Sequence, residues 1–407
     1  MTDLIVRDGY LKTRDAVVDI AVDDGAIREI APGIDHEAET ELSARGNLVS
    51  PGLVDAHVHL DMALSACGGR RPRDNDAAFD MDRALERTAA YFADGSPAAI
   101  RSNVQNAVET AVANGVVHVR THAYVDGHVG ADVVEWLVDA RERVDHLLDL
   151  QVVAFPQQGI RRDEGSEAAM RAALAAGADA AGGLDPATVN GDRRATIATW
   201  FDVATDHDVD LDVHVHERGA SGLETLERLA ARTVANGYEG RVTASHAYAL
   251  ADASRHETDD TGDRLSTVME AFRAAEMDVI TCYQSTPVGM PIRELREAGL
   301  DISHGTDQVH DIWGAHGNLD ALEAMLVESL RLDGYASNEG LRTLWDLITA
   351  RGASVLGIEG YEPVVGTPAD LVVHSAASPE WAILTNETPA YVIKDGTVVA
   401  EDGALVR

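Results

Sequence analysis

Cysteine is nearly missing from this 407-residue chain, with Cys67 and Cys282 as the whole complement. Two thiols so far apart offer no disulfide framework, and without a Cys-x-x-Cys pair they offer no thiolate metal site. A reducing, cytoplasmic setting is expected. Lysine is as scarce, since Lys12 and Lys394 are the only two. Excess positive charge is absent altogether, because 33 basic residues face 69 acidic ones and leave a formal net charge of -36. That balance argues against nucleic acid, anionic membranes or any polyanion as partner and leaves neutral or cationic small molecules. Dense carboxylates with little lysine suit concentrated salt, where screening makes them tolerable, so a halophilic source is expected. No apolar run reaches the roughly 18 residues needed to span a bilayer, and the N-terminus lacks a signal-peptide core.

What the chain does have is bulk apolar content, 45% of its residues, enough for a large buried core. The two ends share one grammar. Leu4 to Ile30 reads as short strands broken by turns, and so do Asp370-Leu-Val-Val-His and Ala390-Tyr-Val-Ile-Lys-Asp-Gly-Thr-Val-Val-Ala. One small β-sandwich domain built from both termini, residues 1–50 plus 358–407, is expected.

Between Pro51 and Gly357 apolar strand-like runs alternate with amphipathic helical stretches. The strand candidates are Val54 to Leu60, Val116 to Ala123, Leu150 to Phe155, Ala180 to Leu184, Val209 to Glu217, Arg241 to Ala247, Met277 to Tyr283 and Leu300 to Asp307. Helices are expected at Ser96–Asn114, Ser166–Ala176, Arg193–Asp206 and Leu319–Leu330. Eight such units make an α/β fold, a (β/α)8 TIM barrel over residues 51–357, whose chemistry belongs at the C-terminal strand ends.

Those strand ends collect histidine. His57 and His59 stand two apart on the first strand, so both imidazoles face one side. The second contributes His122, the third is followed by Gln157 and Gln158, the fifth gives His214, His216 and Glu217, the sixth His246, and the eighth His304 and Asp307. A lone barrel histidine is ordinarily a satisfied core residue, but so many on separate strands read as a metal site.

The ordered set PGLVDAHVHLD, GVVHVRTHAYVD, QVVAFPQQGI, DVHVHE, TASHAY and HGTDQVHDIWG resembles the amidohydrolase superfamily, and within it the cytosine deaminase branch. The resemblance implies one divalent metal ion per chain, zinc or iron with manganese as a further option, held by His57, His59, His214 and Asp307. His216 shares a strand face with His214 and stays open as the alternative ligand. A binuclear site bridged by a barrel lysine is ruled out, because Lys12 and Lys394 both fall in the terminal sheet. The resemblance further implies attack by metal-bound hydroxide, with Glu217 as general acid, His246 orienting the water and Asp307 carrying its proton. Gln157 would read the amide edge of a ring, Phe155 and Trp313 would wall it, and Gln308 would touch it. His122 and His304 would orient ligands, and His118 would face outward.

The expected activity is hydrolytic deamination of a cytosine-like heterocycle. Departures at Gln158, Gln308 and Cys282–Pro291 motivate an alternative ring: isocytosine, an N-alkylaminotriazine such as N-isopropylammelide, a pterin, a creatinine-like ring, or a cyclic amide opened by hydrolysis. A non-catalytic metal-binding barrel is the remaining reading. The cationic stretch around Arg70-Arg71 is a candidate for touching substrate or closing over the site, and the resemblance leaves a homo-oligomer open.

Overall fold

The computed structural model describes residues 2–66, 80–254, 260–283 and 289–406. The stretch around Arg70-Arg71, together with Cys67, lies outside them, as do residues 284–288 of the expected loop after the seventh barrel strand.

The N-terminal strands β1 (Thr2–Leu11), β2 (Ala16–Asp23), β3 (Ala26–Ala31), β4 (Ala38–Ser43) and β5 (Leu48–Pro51) open the chain. A parallel series follows: β6 (Leu53–Val58), β7 (Val116–Tyr124), β8 (Asp149–Phe155), β9 (Ala180–Leu184), β10 (Asp210–His214), β11 (Val242–Ser245), β12 (Asp278–Cys282) and β13 (Ile302–Gly305). The C-terminal strands β14 (Leu371–Val373), β15 (Tyr391–Lys394), β16 (Thr397–Glu401) and β17 (Ala404–Leu405) end it.

Both termini meet in one nine-stranded sheet, ordered β17-β16-β15-β14-β5-β1-β2-β3 with β4 beside β1. The join is made where β14 pairs antiparallel with β5, Val372 opposite Ser50. The sheet folds over a core of Leu4, Val6, Ile20, Val22, Ile27, Leu371 and Ile393, drawn from both ends of the sequence. Each fully buried residue of this size contributes about 1.5–3 kcal/mol.

Strands β6 to β13 pair in sequence order, and the ring closes where Val58 of β6 bridges Asp307 just beyond β13. The close approach is possible because Gly305 carries no Cβ, which would lie 2.5 Å from the Cβ of His57. Strand β7 shows how alternation builds the barrel. Val117, Val119, Thr121 and Ala123 share one face, and His118, Arg120 and His122 share the other.

Some of the helices between strands start at side-chain caps. Asp192 accepts a hydrogen bond from Ala195 N at 3.0 Å to open Arg193–His207, and Asp320 accepts from Leu322 N and Glu323 N to open Ala321–Arg331. Each such cap is worth about 1 kcal/mol. The helices Pro97–Ala113 and Ser166–Ala175 also match expectation to within about a residue at each end. No helix among the described residues is long and apolar enough to cross a membrane.

At the N-terminal strand ends the barrel is tied to the terminal sheet. Lys394 Nζ of β15 lies 3.3 Å from Asp149 of β8 and 3.1 Å from Asp370, and His118 Nδ1 lies 2.8 Å from Asp149. His118 therefore does not face outward. It shares the face of Arg120 and His122, and it is buried because its strand position points it at this ion-pair cluster.

Candidate metal centre and active site

Several strands end earlier than the apolar runs suggest, and the site residues sit on the turns beyond them. Strand β10 stops at His214 rather than Glu217, β11 at Ser245 and β13 at Gly305. His246 and Asp307 follow with φ of 68° and 65°, a left-handed conformation costly for residues with a Cβ. That backbone ends the strand and turns each side chain over the barrel mouth. Asp307 is held on both sides, its N–H donating to His57 O at 2.8 Å and its C=O accepting from His59 N at 2.9 Å.

His57, His59 and His214 converge, their ligand atoms all within 4.8 Å of one another. Asp307 Oδ1 lies 3.6 Å from the Nε2 of both His57 and His59, and the Nε2 atoms of His59 and His214 are 3.3 Å apart. His57 Nε2 is buried with no hydrogen-bond partner. Burial and the crowding of neighbouring imidazoles push His57 and His214 well below the usual histidine range, and burial takes His59 down to about 3. Neutral rings with lone pairs aimed at one point beside a carboxylate are the donor set a divalent cation takes. The residues fit a metal ion. Both lysines lie elsewhere, Lys12 against Asp346 and Lys394 in the cluster beneath the barrel.

His216 is not in this group. Its Nδ1 lies 3.0 Å from Asp185 Oδ2, and its backbone N–H donates to Asp185 Oδ1 at 2.6 Å. Burial lowers its pKa, but the adjacent Asp185 carboxylate outweighs that and raises it. Strand β10 ends between the two histidines, so His214 keeps the barrel direction while His216 follows the turn.

A cavity of about 1010 Å³ opens above the cluster, lined among others by His59, Phe155, Gln157, His214, Glu217, His246, Asp307, Gln308 and Trp313. Phe155 stacks on the His214 ring at 4.2 Å and 17°. With Leu85, Leu184, Val189, Met81 and Trp313 it forms an apolar wall, and Trp313 Nε1 donates to Thr88 Oγ1 at 2.7 Å. Gln157 is buried with its Oε1 unpartnered. Gln158 is spoken for, because its Nε2 donates to Leu85 O at 2.9 Å, and it does not line the cavity. Glu217 Oε1 accepts from Ala187 N at 2.6 Å and Thr188 N at 3.0 Å, and its Oε2 accepts from Thr225 Oγ1. His304 lies against Tyr283 and does not line the cavity either.

Beneath His57 lies a polar group that the sequence pattern did not flag. Asp212, Ser245 and Arg120 are buried inside the barrel with His122, whose ring sits 4.1 Å from that of His57. The signal in the sequence is their placement, Asp212 two residues before His214 and Ser245 one before His246. Asp185, Tyr248, Met81 and His316 also line the cavity and were not singled out.

Residues 40–400 match the amidohydrolase family. The chain is 37% identical over 405 residues to an N-isopropylammelide isopropyl amidohydrolase of Pseudomonas sp. (strain ADP), covering 99% of this chain and 98% of that protein. The structure of an N-isopropylammelide isopropylaminohydrolase from Burkholderia multivorans superposes with a TM-score of 0.90 at 29% identity over the whole of both chains. A 5-methylcytosine deaminase from Klebsiella pneumoniae shares the fold, with a TM-score of 0.86 at 24% identity over 99% of each chain. A closed parallel barrel with histidine and aspartate donors at its mouth, matched end to end by these relatives, places the chain in the amidohydrolase family, hydrolases of carbon–nitrogen bonds.

Proposed function

We propose that this protein is a mononuclear metal-dependent hydrolase that removes an exocyclic amine from a planar, carbonyl-bearing N-heterocycle, with an N-alkylaminotriazine such as N-isopropylammelide as the favoured substrate. The observation that carries the reading is the two-sided cavity. Gln157 and Gln308 line it with amides suited to ring carbonyl and N–H edges, while Met81, Leu184, Val189 and Trp313 line it with an apolar wall. An alkylamino substituent has use for that wall, whereas the bare amine of cytosine does not. Likeness over nearly full length to a protein named for N-isopropylammelide supports the same choice.

His57, His59, His214 and Asp307 would hold the metal ion. When bound, a divalent ion lowers the pKa of coordinated water toward neutrality and supplies the nucleophile. His246, left-handed at the mouth of the barrel, orients the water. Asp307 takes its proton and passes it toward the departing nitrogen, and Glu217 protonates the adjacent ring nitrogen. Water adds to the ring carbon, the exocyclic C–N bond breaks as the amine leaves with the proton from Asp307, and the remaining hydroxyl proton returns to Glu217, leaving a ring carbonyl beside a ring N–H and a free amine. The Glu217 carboxylate is kept in one orientation by Ala187, Thr188 and Thr225. Phe155 and Trp313 pack the ring faces.

A screen of purified, metal-loaded protein for amine release tests the assignment. Isopropylamine from N-isopropylammelide, faster than ammonia from cytosine, isocytosine or a pterin, is the expected result. Faster ammonia release from cytosine or 5-methylcytosine would move the reading to the deaminase branch.

A further inference from the structure

The geometry points to Asp212 and Ser245 as positioning residues that fix the tautomer of His57, and so decide whether its Nε2 can bind a metal. The inference rests on the mononuclear reading above. Ser245 Oγ donates to Asp212 Oδ1 at 2.6 Å, and His57 Nδ1 lies 3.0 Å from the same Oγ. A hydroxyl has one proton. With that proton committed to the carboxylate, Ser245 can only accept from His57, so the imidazole carries its hydrogen on Nδ1. The lone pair is then on Nε2, the buried atom without a hydrogen-bond partner, 3.6 Å from Asp307 Oδ1.

Asp212 is held in turn. Arg120 NH1 donates to its Oδ2 at 3.2 Å, and Arg120 is itself anchored through Nε to Gln151 Oε1 at 3.0 Å. His122 Nε2 lies 3.8 Å from Asp212 Oδ1. The chain Arg120, Asp212, Ser245, His57 therefore has a direction, with every hydrogen pointing toward the carboxylate. None of its first three members lines the cavity.

Direction makes a sharp test possible. In Asp212→Asn the amide must keep its oxygen toward Arg120, because two N–H groups cannot face one another. Its NH₂ then faces Ser245 and donates to Oγ, and the Ser245 hydrogen turns to His57 Nδ1. That reverses the tautomer and puts a hydrogen on Nε2, where the metal belongs. Ser245→Ala removes the direction without reversing it, and Ser245→Thr keeps the hydroxyl.

Zinc affinity of the apoprotein, measured by competition with a chromophoric chelator, reads this out without turnover. Ser245→Ala is expected to bind zinc about 10–100-fold more weakly, the usual effect of removing a hydrogen bond to a metal-bound histidine. Asp212→Asn is expected to bind more weakly still, and Ser245→Thr within a few-fold of wild type. Imidazole ¹⁵N shifts in histidine-labelled apoprotein should show an Nδ1–H ring in wild type that becomes Nε2–H in Asp212→Asn. Should Asp212→Asn not fold, the Ser245→Ala and Ser245→Thr pair carries the test alone. Wild-type affinity in Ser245→Ala, or tighter binding by Asp212→Asn than by Ser245→Ala, overturns the inference and leaves the metal centre standing. Wild-type protein that takes up no zinc, iron or manganese overturns both.

Discussion

The Nε2 atoms of His59, just beyond β6, and His214, at the end of β10, stand 3.3 Å apart in a buried pocket. At most one hydrogen fits between them, and both Nδ1 atoms lack partners. Such an arrangement is costly without a cation and favourable with one. Bound metal is expected at about one ion per chain. At a free concentration 100-fold above its Kd it adds about 2.7 kcal/mol to stability. Chelation should lower the melting temperature by several degrees, and His214→Ala or Asp307→Ala should remove both the ion and the shift. Melting that ignores chelator in the wild type would count against the centre.

Glu217 offers a separate reading of the chemistry. In Glu217→Gln the side-chain oxygen keeps the hydrogen bonds from Ala187 and Thr188, and the NH₂ can face the Thr225 hydroxyl as an acceptor. Fold and metal content should persist while kcat falls about 10²–10⁴-fold, the range of general acid catalysis. Unimpaired turnover would remove Glu217 from the mechanism.

Gly314 governs how Gln308 is placed. A Cβ at position 314 would lie 1.8 Å from Gln308 Oε1, the movable end of a flexible side chain. Gly314→Ala should therefore displace the amide at little cost in stability. The expected effect is a rise in KM with metal content and melting temperature near wild type. If KM is unchanged, Gln308 does not contact substrate.

Acid sensitivity should trace in part to His374, buried beside Ser50 with its Nε2 2.8 Å from the hydroxyl. Burial lowers its pKa to about 3 in the folded protein, from the ordinary histidine value of 6.5. Between those values the unfolded chain binds a proton that the native state refuses, so stability falls as pH drops below about 6.5, by about 1.4 kcal/mol per pH unit. His374→Gln should flatten the slope of unfolding free energy against pH by that amount between about pH 6 and pH 4. An unchanged slope in denaturant titrations would assign the sensitivity to other groups.

Much of this protein is written in local pattern. Apolar runs such as Val-Val-His-Val-Arg-Thr-His-Ala-Tyr, buried along their whole length, and the amphipathic helical runs between them point to an eight-stranded barrel, because parallel strands covered on both faces read this way. The His57-Val58-His59 spacing by itself puts two donors on one face. Local pattern could not choose between His214 and His216, which share their strand parity; the choice was made by the end of β10 and by Asp185, a residue of a different strand's loop. Nor could it place His118, whose side chain meets Lys394 only once the terminal sheet docks beneath the barrel.

The amino-acid sequence by itself determined the barrel, the terminal sheet, the donor types and the absence of a bridging lysine. Only tertiary structure decided which donors meet, that Gln158 turns to Leu85 while Gln157 stays in the cavity, and that Asp212 and Ser245 stand behind His57. The physical reason is that periodicity reports which face a residue occupies. Hydrogen-bond partners are set by distances between strands far apart in the chain, which appear only when the ring closes.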